Sequence, residues 1–330
     1  MKIVFFEMEE RQIQYFNEKI VGHDVEYHTE SLQDAKGDSF YDADILCVFV
    51  FSRVTSKEIA KFKNLKFIAT MSTGCDHIDV EECEERGISV CNVPAYGDNT
   101  VAEHAFGLIL SLSRQIHKAY LRTTKKEFEY EGLLGFDLKG KTLGVLGTGR
   151  IGQNSIKMGN GFSMNVVAYD VFQRPELQTQ LGFKYVSLDE LLVQSDIITI
   201  HVPLLKETTH MINKETIAKM KRGVYIINTA RGQIINTRDL ILGLESGYIG
   251  GAGIDVLEGE LFLKKILTPK TSEEKELVKE AHELMKLPNV IVTPHLAFYS
   301  KEGVQRIMDA TLDNIFDYIE NRGLRNKVKL

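Results

Sequence analysis

The sequence predicts an α/β fold in which parallel strands alternate with crossover helices. At 330 residues the chain is long for a single hydrophobic core and suits two domains. Short, nearly continuous apolar runs recur along it, and such runs are typical of parallel strands covered on both faces. Amphipathic stretches lie between these runs. The alternation indicates βαβ units with right-handed crossovers.

The apolar runs and the helical periodicity locate the individual elements. Strands are predicted, in chain order, at 2–7, 45–50, 67–70, 143–147, 166–169, 196–202, 224–229 and 290–293. Helices are predicted at 101–118, 150–160, 188–194, 237–246 and 301–320, where apolar residues recur at helical spacing. A polar stretch at 122–141 divides the chain before the strand at 143–147. A second divider, the charged insertion at 264–287, is expected to form a surface helix.

Composition and charge exclude several classes of protein. The net charge of −6 and the pI near 5.9 give no reason to expect a nucleic-acid or membrane partner. No apolar run approaches the roughly 18–20 residues that a membrane-spanning helix needs, and the acidic start MKIVFFEMEE is unlike a signal peptide. The four cysteines, Cys47, Cys75, Cys83 and Cys91, lack metal-ligand spacing. We therefore expect a cytoplasmic protein with free thiols.

A glycine-rich turn follows the predicted strand at 143–147. It reads Gly147-Thr148-Gly149-Arg150-Ile151-Gly152 and leads into a helix. In this context Gly147 permits a tight turn, Gly149 allows a pyrophosphate close to the backbone, and Gly152 lets the helix pack on its strand. The pattern therefore predicts a dinucleotide site.

An acidic residue at the end of the next strand indicates which dinucleotide binds. Asp170 lies 18 residues beyond Gly152, where a carboxylate is expected to accept hydrogen bonds from the adenosine ribose. The same carboxylate would repel a 2′-phosphate, so NAD is favoured over NADP. Arg174, four residues further on, could weaken that preference.

Three polar residues, Arg231, Asp255 and His295, follow later strands, where open α/β sheets build their sites. Arg231 lies in the segment Asn-Thr-Ala-Arg-Gly after the strand at 224–229, and Asp255 ends a short glycine-rich run. Glu260 lies five residues beyond Asp255, and His295 follows the strand at 290–293. Glu258 is close enough to be mistaken for Glu260, and the spacing of five from Asp255 favours Glu260.

Taken in order, these motifs resemble the D-isomer-specific 2-hydroxyacid dehydrogenases over essentially the whole chain. The segments that carry the resemblance are GTGRIG, NTARG, GxxxD-x4-E, TPHxAFY, STGCDHID and VAEH. Tyr96 in VPAY, the charged insertion after Glu260, and Phe298-Tyr299 after His295 place the chain closest to the D-lactate dehydrogenase branch. The resemblance implies two Rossmann- or flavodoxin-like domains, with the active site in the cleft between them.

The resemblance also implies a role for each candidate. His295 would donate the proton to the new alkoxide, and Glu260 would hold the imidazole and favour its protonated form. Arg231 would clamp the substrate carboxylate. Backbone N–H groups near Thr73 and Gly74 would complete that cradle. Asp255 would hold the nicotinamide carboxamide, and the cofactor cleft would be lined by His201, Val202, Pro203, Thr229 and Ala230.

The substrate is expected to be small. Phe51, Tyr96, Phe298 and Tyr299 are predicted to form the pocket wall, and large aromatics favour pyruvate and D-lactate. The alternatives are a larger 2-keto acid such as phenylpyruvate or hydroxyisocaproate, and a non-catalytic protein that senses NAD(H). No metal is expected, and His77 and His104 are interpreted as structural.

The family's architecture predicts where the domains divide. Residues 1–98 and 299–330 are expected to form the substrate domain, and residues 99–298 the NAD-binding Rossmann domain. A homodimer is expected to assemble through 101–120 and 122–141. Closure of the cleft should expel water from the reacting groups.

Overall fold

The computed structural model describes residues 1–264 and 266–329, and the chain divides into two compact units. Unit 1 comprises Met1–Tyr96, Lys264–Leu267 and Ser300–Leu330, and unit 2 comprises Gly97–Leu263 and Thr268–Tyr299. The short segment Lys264–Leu267, which lies in the predicted charged insertion, thus groups with unit 1. Each unit has its own parallel sheet and its own hydrophobic core.

Unit 1 is a parallel sheet with helices after its strands. Within the described residues its strand order is β2-β1-β3-β4-β5, and every pair is parallel. Its elements are β1 (Lys2–Phe5), α1 (Glu10–Lys19), β2 (Asp24–Tyr27), a 3₁₀ turn (Ser39–Asp42), β3 (Ile45–Val48), α2 (Ser56–Ile59), β4 (Phe67–Thr70), α3 (Val80–Glu85), β5 (Ser89–Cys91) and the C-terminal helix α13 (Lys301–Ile319). Helix α13 packs on the sheet, where Tyr318 stacks on Phe67 with ring centroids 4.6 Å apart.

Unit 2 carries the larger sheet. Its elements are α4 (Thr100–Ser113), α5 (Ile116–Thr124), β6 (Thr142–Leu146), α6 (Arg150–Gly161), β7 (Asn165–Tyr169), α7 (Pro175–Leu181), β8 (Lys184–Tyr185), α8 (Leu188–Gln194), β9 (Ile197–Ile200), α9 (Lys214–Lys219), β10 (Val224–Asn228), a 3₁₀ turn (Gly232–Ile234), α10 (Thr237–Glu245), β11 (Ile249–Ile254), α11 (Glu260–Leu263), α12 (Ser272–Lys286) and β12 (Val290–Val292). The described strands run in the order β12-β11-β10-β9-β6-β7-β8. The order reverses between β9 and β6, and open α/β sheets bind ligands beyond the strand ends at such a switch point.

Most predicted strands are confirmed with slightly different ends, and four strands were missed for identifiable reasons. β2 is short and half polar, and β5 and β8 have only three and two residues. β11 reads IGGAGI, whose glycines have low strand propensity. It is nevertheless a central strand, because glycines let neighbouring side chains approach. A Cβ at Gly253 would lie 2.9 Å from the Leu108 side chain.

Two helix predictions were wrong at their boundaries. The single helix predicted at 101–118 is two helices, because Gln115 adopts a left-handed conformation with φ of 52°, which interrupts helical hydrogen bonding. In the described part of the insertion at 264–287, the helix α12 runs from Ser272 to Lys286, after a capping box formed by Thr271 and Glu274.

The cysteines are free thiols, as predicted. Burial raises the pKa of Cys83 and of Cys91 to about 12, so neither is a ready nucleophile. Among the described residues no helix is both long enough and apolar enough to cross a membrane.

Candidate active site

The glycine turn has the geometry that a pyrophosphate needs. Gly147 has φ of 94°, and Gly149 is the N-terminal cap of α6, whose first turn contains Arg150 and Ile151. A Cβ at Gly152 would lie 1.9 Å from the Gly147 carbonyl oxygen, whereas a Cβ at Gly149 would meet no described atom within 4 Å. Gly152 therefore serves helix packing. The open space at Gly149, at the helix N-terminus, fits an anion.

Asp170 is anchored at the end of β7. Its Oδ2 accepts hydrogen bonds from the backbone N–H and hydroxyl of Thr148 at 2.6 and 2.8 Å, and its Oδ1 accepts from the Phe172 N–H at 2.9 Å. Arg174 donates to the Thr148 carbonyl at 2.8 Å. The carboxylate that is predicted to bind the ribose is thus fixed beside the glycine turn, and Arg174 lies next to it.

Residues after β9 and β10 occupy the same edge of the sheet as the glycine turn, because β6, β9 and β10 are parallel neighbours. His201, with Val202 and Pro203 after it, follows β9. Its Nε2 lies 2.9 Å from the Ser155 hydroxyl and 3.0 Å from that of Thr199. Burial lowers the pKa of His201 to about 3, so its ring is neutral at physiological pH.

Thr229 and Ala230 follow β10. The Thr229 hydroxyl is buried, and within the described part of the chain it has no hydrogen-bond partner. A buried polar group in that state is costly, and a dinucleotide would satisfy it. The open space at Gly149 and this hydroxyl both fit a bound dinucleotide.

His295 and Glu260 form a hydrogen-bonded pair. The Nδ1 of His295 lies 2.9 and 3.1 Å from the two carboxylate oxygens of Glu260. Both side chains are mostly buried, with 17% and 19% of their surface exposed. His295 has φ of 55°, an uncommon backbone conformation for a residue with a side chain, which functional sites often hold.

Asp255 holds this backbone in place. Its Oδ1 accepts from the N–H of Leu296 at 3.0 Å and from the Thr293 hydroxyl, and its Oδ2 accepts from the N–H of Ala297 at 2.9 Å. Burial raises the pKa of the Asp255 carboxyl, but hydrogen bonds from His104, Thr293 and the two amides outweigh it, so the net pKa is lowered. Asp255 is therefore an ionised organiser of the His295 turn. Its predicted contact with the carboxamide stays a prediction.

His104 is part of this arrangement. Its Nε2 lies 3.1 Å from the Thr293 hydroxyl and 3.5 Å from Asp255 Oδ1, so α4 braces the loop that carries His295. The structural interpretation of His104 omitted this proximity to the site. The VAEH segment was the available signal, but the contact with Thr293 spans 189 positions and could not be read from spacing. The Nε2 of His77 lies 3.1 Å from the buried Thr70 hydroxyl, and its interpretation as structural stays a prediction.

Arg231 lies in a turn that Asn228 closes. The Asn228 side chain accepts from the Ala230 N–H at 3.0 Å and donates to the Arg231 carbonyl at 2.9 Å. The Arg231 guanidinium donates to the Ala230 carbonyl at 2.8 Å. The next residue, Gly232, is pressed against the loop that carries Glu260, since its Cβ would lie 2.1 Å from the Leu257 carbonyl carbon. Asn228, which shapes this turn, was not among the predicted site residues.

Glu258 and Glu260 have different partners. Glu258 is buried, accepts from the backbone N–H and hydroxyl of Thr237 at 2.9 and 2.7 Å, and lies 2.7 Å from Nε2 of His210. It thus ties the loop to the start of α10, while Glu260 contacts His295. Glu260, the glutamate favoured by its spacing, is thus the one in contact with His295, and its catalytic role stays a prediction.

The loop after β4 in unit 1 contains the predicted carboxylate cradle. Thr73 donates its hydroxyl to the Val93 carbonyl at 2.7 Å, and its own carbonyl accepts from Asn92 at 2.7 Å. The Gly74 carbonyl accepts from the Ser72 hydroxyl at 2.8 Å. Side chains thus fix this loop from both ends, and the role of its backbone amides stays a prediction.

The predicted aromatic wall is divided between the two units. In unit 1, the Phe51 ring lies 6.0 Å from that of Phe49, and the ammonium of Lys264 lies 3.7 Å above it. Arg306 donates to the Tyr96 carbonyl at 2.8 Å. In unit 2, Phe298 and Tyr299 pack edge to face with centroids 5.7 Å apart. Their roles in substrate binding stay predictions.

The chain is similar to known proteins along most of its length. The family described as "D-isomer specific 2-hydroxyacid dehydrogenase, NAD binding domain" matches residues 106–297. The "2-hydroxyacid dehydrogenase homolog 1" of Schizosaccharomyces pombe is 38% identical over 96% of both chains. An "Aromatic 2-oxoacid reductase" of Clostridium sporogenes is 39% identical over 92% of this chain and 91% of its own. The D-lactate dehydrogenase of Aquifex aeolicus, solved with NAD and lactic acid, superposes with a TM-score of 0.88 at 36% identity, covering 97% of this chain and 96% of its own.

Proposed function

Because the chain belongs to the D-isomer-specific 2-hydroxyacid dehydrogenases, NAD-dependent oxidoreductases, we propose that it reduces a small 2-oxo acid, pyruvate foremost, to its (R)-2-hydroxy acid. The observation that carries this proposal is the His295–Glu260 pair, fixed in an uncommon backbone conformation by Asp255. Such a pair can deliver a proton to an alkoxide as it forms. Bound NADH would supply the hydride.

The residues of unit 2 account for the acid–base part of the reaction. Glu260 engages Nδ1 of His295, so Nε2 is the nitrogen that would transfer the proton to the substrate oxygen. The carboxylate of Glu260 would hold the imidazole in place through Nδ1 while Nε2 transfers the proton. In the reverse direction the same nitrogen would accept the proton from the hydroxy acid. Arg231 would bind the substrate carboxylate and stabilise the developing negative charge, since its guanidinium stays protonated.

Replacing the proton donor tests the mechanism. In His295→Ala, NADH oxidation with pyruvate should fall on the order of 10²- to 10⁴-fold, the usual contribution of general acid catalysis. NADH binding, measured by its fluorescence, should survive, because the glycine turn is unchanged. His282→Ala is the matched control, since His282 is an exposed histidine on α12 and should retain full activity. Full turnover in His295→Ala, or NADH binding by the wild type without turnover on any 2-oxo acid, would refute the proposal.

The size of the substrate is tested by comparing kcat/KM for pyruvate, phenylpyruvate and 2-oxoisocaproate. The lactic acid bound to the Aquifex aeolicus enzyme supports a small substrate, and so do the large aromatic residues predicted for the wall. The aromatic 2-oxoacid reductase of Clostridium sporogenes supports the larger alternative. We expect pyruvate to have the highest kcat/KM. A preference for phenylpyruvate would keep the mechanism and reassign the substrate.

We further propose that unit 2 forms a homodimer through α5 and the segment after it. Phe128, Tyr130 and Leu134 are 83%, 80% and 95% exposed, and Tyr120 and Leu121 on α5 are also exposed. Large apolar groups concentrated in one segment mark a protein interface, and a second copy would bury them with two-fold symmetry. Leu134→Lys should shift the sedimentation coefficient toward the monomer. The control Val193→Lys, at an exposed apolar residue on α8, should not. A wild type that sediments as a monomer would contradict this.

A further inference from the structure

Glu7, shortly after β1, has a carboxyl group that the proposed reaction does not use. The backbone φ of Glu7 is 64°. This conformation is unfavourable for a residue with a side chain, and it is retained only where the surrounding structure holds it. Burial raises the pKa of this carboxyl to about 7, although the Ser52 hydroxyl and backbone amides of the loop after β3 favour the ionised form. Its Oε2 is buried and lacks a hydrogen-bond partner among the described residues. A buried carboxyl oxygen without a hydrogen bond lowers the stability of the fold. We therefore expect Glu7 to have a role that offsets this cost.

A buried hydrogen-bond chain links Glu7 to that loop. The Leu32 N–H donates to Ser52 Oγ at 3.0 Å, and the Ser52 hydroxyl donates to Glu7 Oε1 at 3.1 Å. Ser52 thus uses one lone pair to accept from Leu32 and its one proton to donate to Glu7. Ser52 is fully buried, so water cannot replace either partner.

Arg53, which follows Ser52, is also held by hydrogen bonds to a side chain. Arg53 donates its backbone N–H to Gln33 Oε1 at 2.9 Å and accepts from Gln33 Nε2 at 2.8 Å. The loop from Phe49 to Arg53 is therefore fixed at its two last positions. Phe51 lies directly before Ser52, and the ammonium of Lys264 lies 3.7 Å from the centroid of its ring. A displacement of Ser52 would move the Phe51 ring with it.

We propose that Glu7 is a positioning residue that, through Ser52, sets the ring of Phe51 and thereby the size of substrate side chain that the enzyme prefers. The proposal rests on the proposed function, in which Phe51 belongs to the pocket wall. Glu7 needs no contact with substrate. It acts by fixing a loop whose other supports come from the segment around Leu32 and Gln33.

Four variants separate positioning from general stability. Glu7→Gly removes the carboxyl and also relieves the positive φ, so it should fold, and Ser52→Ala removes the other half of the bond. Glu7→Gln is the conservative variant, since its amide oxygen can still accept from Ser52. Ser31→Ala is the matched control, because Ser31 is a buried hydroxyl of the same unit that bonds Asp34 at 2.7 Å instead of the loop.

The first readout is the ratio of kcat/KM for phenylpyruvate to that for pyruvate. Glu7→Gly and Ser52→Ala should change this ratio about tenfold, the effect of altering a pocket by the volume of one methylene or more. Glu7→Gln should restore most of the wild-type ratio, and Ser31→Ala should match the wild type. Ratios for Glu7→Gly and Ser52→Ala equal to that of Ser31→Ala would overturn the proposal.

A second readout is independent of turnover. The chain has no tryptophan, so Phe51→Trp places a single fluorophore on the loop. Adding Glu7→Gly to this variant should raise acrylamide quenching about twofold, because a loop freed from its anchor opens more often, whereas adding Ser31→Ala should leave it unchanged. Equal quenching in the two double variants refutes positioning. A wild type that turns over no 2-oxo acid refutes the proposed function, and the quenching result then decides positioning by itself.

Discussion

The glycine turn offers a test that separates folding from cofactor binding, because Gly149 and Gly152 differ in what a methyl group would meet. A Cβ at Gly152 would lie 1.9 Å from the Gly147 carbonyl oxygen, and one at Gly149 would meet no atom of the described residues within 4 Å. We expect Gly152→Ala to destabilise the protein. Gly149→Ala should instead weaken NADH binding with little loss of stability.

The magnitudes follow from these distances. Carbon and oxygen atoms ordinarily approach to about 3.3 Å, so Gly152→Ala requires the backbone of α6 or of the turn to move by about 1.4 Å. Overpacking typically lowers the free energy of unfolding by 1–3 kcal/mol. Because the obstacle here is backbone, which cannot rotate away as a side chain can, we expect Gly152→Ala to lose about 3 kcal/mol. Gly149 is a helix cap with an ordinary φ of −64°, where exchange of glycine for alanine costs about 0.5–1 kcal/mol. A methyl between backbone and pyrophosphate should weaken NADH binding at least tenfold, about 1.4 kcal/mol.

The assay combines urea unfolding with NADH titration by fluorescence on both variants. The expected result is a large fall in the unfolding midpoint for Gly152→Ala, and a near-normal midpoint with weakened NADH binding for Gly149→Ala. Wild-type affinity in Gly149→Ala would show that no pyrophosphate approaches this residue. That outcome would refute the assignment of the dinucleotide to the N-terminus of α6.

Two other predictions concern the loops that carry the acid–base pair. Gly232→Ala would place its Cβ 2.1 Å from the Leu257 carbonyl carbon and so shift the Arg231 turn relative to the loop that carries Glu260. We expect kcat/KM to fall about 10²-fold, the cost of a misplacement near 1 Å, while NADH titration gives an unchanged affinity. Asp255→Asn should cost about 1–3 kcal/mol of unfolding free energy at pH 7. Since the pKa of Asp255 is lowered in the fold, its ionised form stabilises the protein above the unfolded pKa near 3.9, and this contribution is lost as the pH falls through the folded value. Urea titrations at pH 7 and pH 3 should therefore show the gap between variant and wild type narrowing in acid, and a gap independent of pH would contradict the argument.

The parallel-sheet class could be predicted because buried parallel strands are apolar along their whole length. β3, β4 and β9 are buried at every position, so their composition alone identifies them. β11 is equally buried in its second half but is built from glycines, whose role is to admit Leu108 and Tyr225. Which side chain packs against a glycine depends on the tertiary fold. The strand propensity of the local sequence therefore could not predict β11.

The glycine turn and the polar residues at strand ends could be predicted for a related reason. Strand ends on one edge of a parallel sheet must lie together, so the position of Thr229 after β10 and of His201 after β9 follows from local pattern plus topology. The contact between His104 and Asp255 could not be predicted in this way, because α4, which carries His104, lies far from Asp255 in the sequence. The left-handed break at Gln115 was missed for a different reason, because apolar periodicity continues across it.

The three carboxylates between residues 255 and 260 have different partners, which their spacing in the sequence does not predict. Asp255 accepts from the backbone of the His295 turn, Glu258 accepts from the start of α10, and Glu260 contacts the imidazole itself. Gly259, with φ of 70°, reverses the chain between the last two, so residues two positions apart face different partners. In a regular strand, positions two apart would share a face, and Glu258 and Glu260 would then compete for His295. The positive φ at Gly259 removes that competition, and it leaves one carboxylate to hold the loop and the other to serve the imidazole.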